Sequence, residues 1–187
     1  LEAVRHDIVT NGIGYVKLLF DLSCVPDSLT EFAGLLTNML GNVDTEKYSY
    51  TALTDEVNMY TGGITTDIVI YNDGKDIENY YPKFVVSAKA MYRNVPVLFE
   101  LVCEMLFASR FDDGKRLKEV IDQIKSRLSM YFSSGGHSAA VMRAQSYYSE
   151  AASYKDRTSG IAFYDFIKDL QENFEARKEE ITASLYE

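Results

Sequence analysis

Cysteine and histidine are the scarce residues of this sequence, two of each in 187 positions, and their scarcity excludes a good deal. A disulfide-stapled secreted scaffold uses more cysteines at closer spacing. Cys24 and Cys103 therefore read as two buried, reduced thiols, and a cytoplasmic location is the expectation. Zinc sites are built from His, Cys and carboxylates at short spacing on one element. His6 and His137 each stand without a second His or Cys nearby, which leaves each a surface or capping role. Long apolar runs are lacking as well, since Glu, Lys or Asp interrupts every one before the roughly 20 residues that span a bilayer. No basic-then-apolar leader opens the chain. Positive charge is outnumbered, 19 Lys and Arg against 28 Asp and Glu, a net charge of −9. Such a chain repels phosphate backbones and anionic lipid, so neither nucleic acid nor membrane is an expected partner. No repeat, low-complexity tract or linker divides the sequence, so residues 1–187 read as one domain. The start at Leu1 and the end at Glu187 suggest an excised, truncated fragment.

What is present is ordinary globular material. Hydrophobic residues make up 47% of the chain and charged residues 25%, enough apolar surface for a core without metal or disulfide. Ile13–Leu22 alternates as a strand, with Val16, Leu18, Phe20 and Leu22 on one face. Ser28 and Glu31 have capping-box spacing, and Phe32, Leu35, Leu36, Met39 and Leu40 follow on one helical stripe. A second helix is expected from Tyr50 to Tyr60, capped by Ser49 and stopped by Gly62–Gly63. Ile64–Tyr71 and Phe84–Met91 read as strands joined by a loose hairpin around Asn72, Asp73 and Gly74. From Asn94 the period changes to that of a helix, with Asn94 as cap and Pro96 in the first turn. Asp112-Asp113-Gly114 opens a further helix that ends at Ser133-Ser134-Gly135-Gly136. Helices over 139–148, 161–170 and 174–184 complete the chain. Strands followed by a helical run predict an α+β fold with a sheet packed against helices and a long helical C-terminal region.

Complete catalytic constellations are missing. Ser133-Ser134-Gly135-Gly136-His137 lacks the strand–turn–helix setting of a nucleophile elbow and reads as an interhelical connector. Cys103 lies in an apolar helix and reads as core. Asn11-Gly12-Ile13-Gly14 precedes a strand, the wrong setting for a phosphate cradle. The acid pairs Asp112–Asp113 and Glu179–Glu180 suit a helix start and a solvated face. Tyr147, Tyr148, Tyr154 and Tyr164 suit either the lining of a peptide groove or packing at the rim of a core.

Four stretches read together resemble one family. They are TNGIGYV (10–16) with LLFDLS; LLTNMLG (35–41) leading to TEKYSY (45–50); EVNMYTGGI (56–64); and GHSAAVMRA (136–144) with SGIAFY (159–164). In their order and spacing they resemble the insulinase-like (pitrilysin) zinc peptidases, in the presequence-protease and falcilysin branch. That resemblance implies a LuxS/MPP-like metallohydrolase domain, one of four related domains enclosing a chamber where unfolded peptides are degraded. It further implies that zinc in the parent sits on another domain, in an H-x-x-E-H motif whose Glu is the general base. This chain resembles the start of the second half. The family pattern puts the ligand, base and ligand positions on Leu35, Asn38 and Met39, residue types that supply neither imidazole nor a base.

The resemblance thus implies a non-catalytic chamber-wall domain, inactive alone, with no catalytic, metal or cofactor residue of its own. Its partners would be the other domains of the same polypeptide and unfolded peptides. The exposed edges of strands Ile64–Tyr71 and Phe84–Met91 are the expected peptide contacts. The alternatives are a catalytically dead scaffold or partner subunit of the same fold, and a stand-alone protein-binding module.

Overall fold

Alternation of apolar residues along three segments builds an antiparallel sheet in the order β1-β3-β2. The computed structural model describes residues 3–76 and 79–187. The strands are β1 (Ile13–Asp21), β2 (Ile64–Asn72) and β3 (Tyr80–Met91). In register, Val16 faces Ala88 and Leu18 faces Val86 on one side of β3; Ile64 faces Ala88 and Ile68 faces Phe84 on the other. β3 begins earlier than the alternation of its apolar residues suggests and runs through Pro82. Proline is tolerated there because β1 pairs only as far as Asp21 with Lys83, so the missing N–H falls at the end of the ladder. The β2–β3 hairpin forms as read; Ile77 and Glu78, in its connection, lie outside the described residues.

The helices are α1 (Thr30–Met39), α2 (Tyr50–Tyr60), α3 (Val95–Phe107), α4 (Gly114–Ser134), α5 (Gly136–Gln145), α6 (Glu150–Ser159), α7 (Ile161–Glu172) and α8 (Phe174–Tyr186). One face of the sheet packs into a core with them. That core joins Phe84, Val86 and Ala88 of β3 to Leu35 and Met39 of α1, Leu98 and Val102 of α3, Leu117 and Ile121 of α4, Ile167 of α7 and Ile181 of α8. The result is α+β, as expected.

Helix starts split between what local chemistry decides and what distant partners decide. Ser49 Oγ accepts from the Ala52 amide, and Asp113 accepts from the amides of Lys115 and Arg116, both as the sequence suggests. The Ser28–Glu31 capping box does not form. Ser28 lies in a short 3-10 turn (Asp27–Leu29), α1 starts after Leu29 without a side-chain cap, and Glu31 turns to Arg157 of α6. Asn94 is not a side-chain cap either, because its amide donates across to the Tyr60 carbonyl at 2.9 Å. Helix α6 is absent from the sequence-based expectation; Ser149 caps it through the Ala152 amide.

Gly34 marks the tightest helix crossing. A Cβ there would lie 2.7 Å from the Thr158 carbonyl oxygen and 3.0 Å from the Phe163 ring, so α1 and α6 approach as closely as they do because the position is glycine.

Candidate functional site

Within an antiparallel ladder each residue points both backbone groups to the same side. The bond from the Gly62 amide to the Lys89 carbonyl shows that the odd residues of β3 face β2. Thr65, Asp67, Val69 and Tyr71 therefore bond to β3, while Thr66, Ile68, Ile70 and Asn72 present N–H and C=O outward. No other strand among the described residues pairs with that edge. β1 has a free edge of its own, carried by Tyr15, Lys17 and Leu19. β3 is the central strand, so Phe84–Met91 offers no edge; this corrects the expectation that it would, and leaves Ile64–Asn72 as the segment that does.

The β2 edge is guarded at its middle. Asp67 turns its carboxylate back onto the outward amide of Ile68 at 2.8 Å. A charge folded over an edge amide is a common device against unwanted strand pairing. Beside this point lies a polar cavity of about 200 Å³, lined by Asn38, Thr66, Asp67, Arg127 and Ser159 among others.

Helix α1 supplies the floor of that cavity. Leu35 and Met39 are wholly buried in the core, on the stripe that periodicity predicts. Asn38, between them in sequence, is half-buried and points to the cavity. Its amide donates to the Gly34 carbonyl at 2.8 Å and to Thr37 Oγ1 at 3.1 Å, and its carbonyl oxygen accepts from the Arg127 guanidinium of α4. Thr66 of β2 closes the corner by donating to the Thr37 carbonyl at 2.8 Å. Arg127 is exposed and has no carboxylate within ion-pair distance among the described residues.

These residues do not fit a zinc ion. Two of the three positions on α1 are buried hydrocarbon or thioether chains, and the third is a neutral amide already holding an arginine. Among the described residues no group of three His, Cys, Asp or Glu side chains gathers at metal-binding range. His6 and His137 are both exposed, far apart on the chain and on different segments. Ser134–Gly135–Gly136 is the connector between α4 and α5.

The sheet face opposite the core is open. Tyr15, Leu19, Tyr71 and Tyr81 are exposed on it, and Asp21 meets Lys83 across the strands at 3.1 Å. Hydrogen bonds from Ser23, then the Lys83 ammonium, lower the Asp21 carboxyl to about 2. At the far end of β1 an apolar groove of about 660 Å³ runs between Phe20, Phe32, Leu36, Leu106, Phe107 and Leu185.

Cys24 and Cys103 are both exposed, which corrects the expectation of two buried thiols. In α3 the buried stripe is Leu98, Leu101, Val102 and Met105, and Cys103 falls a hundred degrees round from Val102. It shares its face with Phe99 and Phe107, also exposed, so α3 is apolar on its solvent side too. An all-round apolar helix hides which side is inward. The four tyrosines do not line one groove. Tyr154 packs on Tyr80 and Tyr164 on Phe132, while Tyr147 and Tyr148 stand in solvent. Burial raises the Tyr154 phenol, whose buried hydroxyl has no hydrogen-bond partner.

Sequence reasoning misses Arg127 and Asp67. Asp67 carries a signal, being the one charge in an otherwise uncharged strand. Arg127 carries none, since its partner Asn38 is 89 residues away.

A family model described as peptidase M16, subfamily C, associated matches residues 1–170. Protein HypA of Clostridium perfringens is 31% identical over 185 residues, covering 99% of this chain and 19% of that protein. The mitochondrial presequence protease of Drosophila melanogaster is 29% identical over 163 residues, covering 87% of this chain and 16% of that protein. Presequence protease 1, chloroplastic/mitochondrial, of Arabidopsis thaliana is 26% identical over 188 residues, 100% of this chain and 17% of that protein. The chain thus spans less than a fifth of the length of these relatives.

Proposed function

The chain belongs to the family associated with subfamily C of the M16 peptidases, and from that premise we propose that it is a non-catalytic wall domain of a larger zinc-dependent oligopeptidase that degrades unfolded peptides. The observation that carries this reading is the burial of Leu35 and Met39. The positions that the family resemblance assigns to metal ligands are here core packing, so the helix holds the wall together and binds no metal. A LuxS/MPP-like domain fits the same arrangement, one helix behind a sheet with one face left open.

That open face supports a wall role. Its mixture of tyrosine, lysine, aspartate and isolated leucine suits passing contact with chains of any sequence, and the free β2 edge offers sequence-independent backbone pairing. The solvent-side stripe Phe99, Cys103 and Phe107, together with the apolar groove it adjoins, is where contact with other parts of the same polypeptide falls in this reading.

The test is a peptidase assay on the whole polypeptide and on isolated residues 1–187, each with zinc and after chelation. Cleavage confined to the whole polypeptide and abolished by chelation is the expected result. Chelator-sensitive cleavage by the isolated chain would overturn the proposal.

A further inference from the structure

The cavity between α1, α4, β2 and the α6–α7 junction combines three features that packing alone does not require. Arg127 is an exposed guanidinium without an acidic partner among the described residues, steered by the Asn38 carbonyl oxygen into the cavity wall. Asn38 is itself fixed by the Gly34 carbonyl and Thr37 hydroxyl, so the arginine rests on a rigid support. The free edge of β2 leads directly to it, because Thr66, Asp67 and Ile68 line the same cavity.

We infer that this cavity receives the C-terminal carboxylate of an extended peptide paired antiparallel along the outer edge of β2. Charge complementarity selects an anion at Arg127, and a guanidinium fork matches a carboxylate in two parallel hydrogen bonds. The guard at Asp67 selects a chain end over an internal acidic residue. A strand added over Asn72 and Ile70 finds the next backbone donor, the Ile68 amide, already satisfied by the Asp67 carboxylate. Continuing further would displace that carboxylate and bring a peptide past a like charge. A chain that stops there turns its terminal carboxylate to Arg127 and keeps clear of Asp67. Since β2 runs from Ile64 to Asn72, a peptide whose C-terminus lies at Ile68 runs antiparallel to it, the better-bonded arrangement. A volume of about 200 Å³ admits a terminal residue and no longer segment.

This inference rests on the peptide-binding reading above, and the experiment separates the two. The full-length polypeptide, with zinc removed by chelation so that peptide survives, is titrated with an unstructured peptide as free acid and as C-terminal amide. The expected result is binding of the free acid about tenfold tighter than the amide. In Arg127→Gln that ratio falls to about one with amide affinity unchanged, and Arg127→Lys restores part of it. Unchanged amide binding also shows that the variant is folded. Equal binding of acid and amide by the unaltered protein overturns the carboxylate site alone. An amide peptide with aspartate at its last position, bound as tightly as the free acid, overturns the assignment to a chain end. Failure of every form to bind overturns the site together with the peptide-binding reading.

Discussion

Arg157 of α6 reaches back across 126 residues to hold Glu31 of α1, its Nε 2.6 Å from the carboxylate, and the same guanidinium also bonds Asp27 in the turn before α1. The Glu31 hydrogen bonds, then Asp27, raise the arginine further above its already high ordinary value, so it stays charged at every accessible pH. This is the clasp that fixes the α1 entrance against the helical half of the chain, in place of a local cap.

Removing the clasp leaves two carboxylates without their cation. Arg157→Ala is expected to lower stability by about 1–3 kcal/mol, because breaking one side of a partly buried, multiply bonded pair leaves the other side unpaired. Glu31→Gln, which retains one acceptor, is expected to cost less. Urea unfolding of the two variants checks the order.

Gly34 makes the same junction possible from the other side. Alanine is the better helix former by about 1 kcal/mol. Yet the added methyl meets the Thr158 carbonyl at 2.7 Å, a backbone atom that moves only with α6. Gly34→Ala is therefore expected to destabilise the fold by about 1–3 kcal/mol in spite of propensity. A rise in melting temperature would contradict the close approach.

The difference between these two residues and the rest shows how much can be read in advance. All three strands, the apolar stripes of α1 and α4, and the Ser49 and Asp113 caps depend on neighbours within a few residues, and composition and spacing carry them. Glu31 has two candidate partners, a local amide and a distant arginine, and only the folded chain decides between them. The same holds for Asn94, drawn to Tyr60, and for Asn38, drawn to Arg127. Cys103 escapes a correct reading for a different reason: α3 carries phenylalanine on its solvent face, and no polar residue marks the outside. In the candidate site, Leu35, Asn38 and Met39 are legible by position, whereas the cation that completes the cavity is not.

The exposure of both thiols has a direct chemical consequence. In the native protein, maleimide followed by mass spectrometry is expected to modify Cys24 and Cys103 without denaturant. Protection of Cys103 in the isolated chain would restore it to the core. Protection only within the full-length polypeptide would place the Phe99–Cys103–Phe107 face in an interface.

Acid sensitivity should include a contribution from Asp21. Its carboxyl is lowered from 3.8 to about 2 by Ser23 and Lys83. A depressed folded value means the folded state binds the proton less readily than the unfolded chain does. The stabilisation is therefore complete above about pH 4 and is lost as pH falls toward 2. Asp21→Asn is expected to be less stable than the unaltered chain near neutrality and to converge with it at the acid end. Chemical denaturation at a series of pH values reads both limbs; a constant difference down to pH 2 would mean that the carboxylate charge is not the cause.

The free edge of β2 is open to a test that uses the alternation of its backbone. Ile70 points its N–H outward, whereas Val69 points its N–H into the ladder with β3. Proline removes the donor in either case, but only at Val69 does it remove a sheet hydrogen bond. Val69→Pro is expected to unfold the hairpin or lower stability by about 3 kcal/mol or more. Ile70→Pro is expected to keep the fold at a smaller cost, set by its partly buried side chain, while removing the donor that an added strand needs. Peptide affinity of the full-length, chelated polypeptide should then drop in Ile70→Pro for acid and amide forms alike, unlike the Arg127 variants, which alter only the acid. If Ile70→Pro binds peptide as well as the unaltered protein, pairing along this edge is excluded, and the open sheet face is left as the peptide contact.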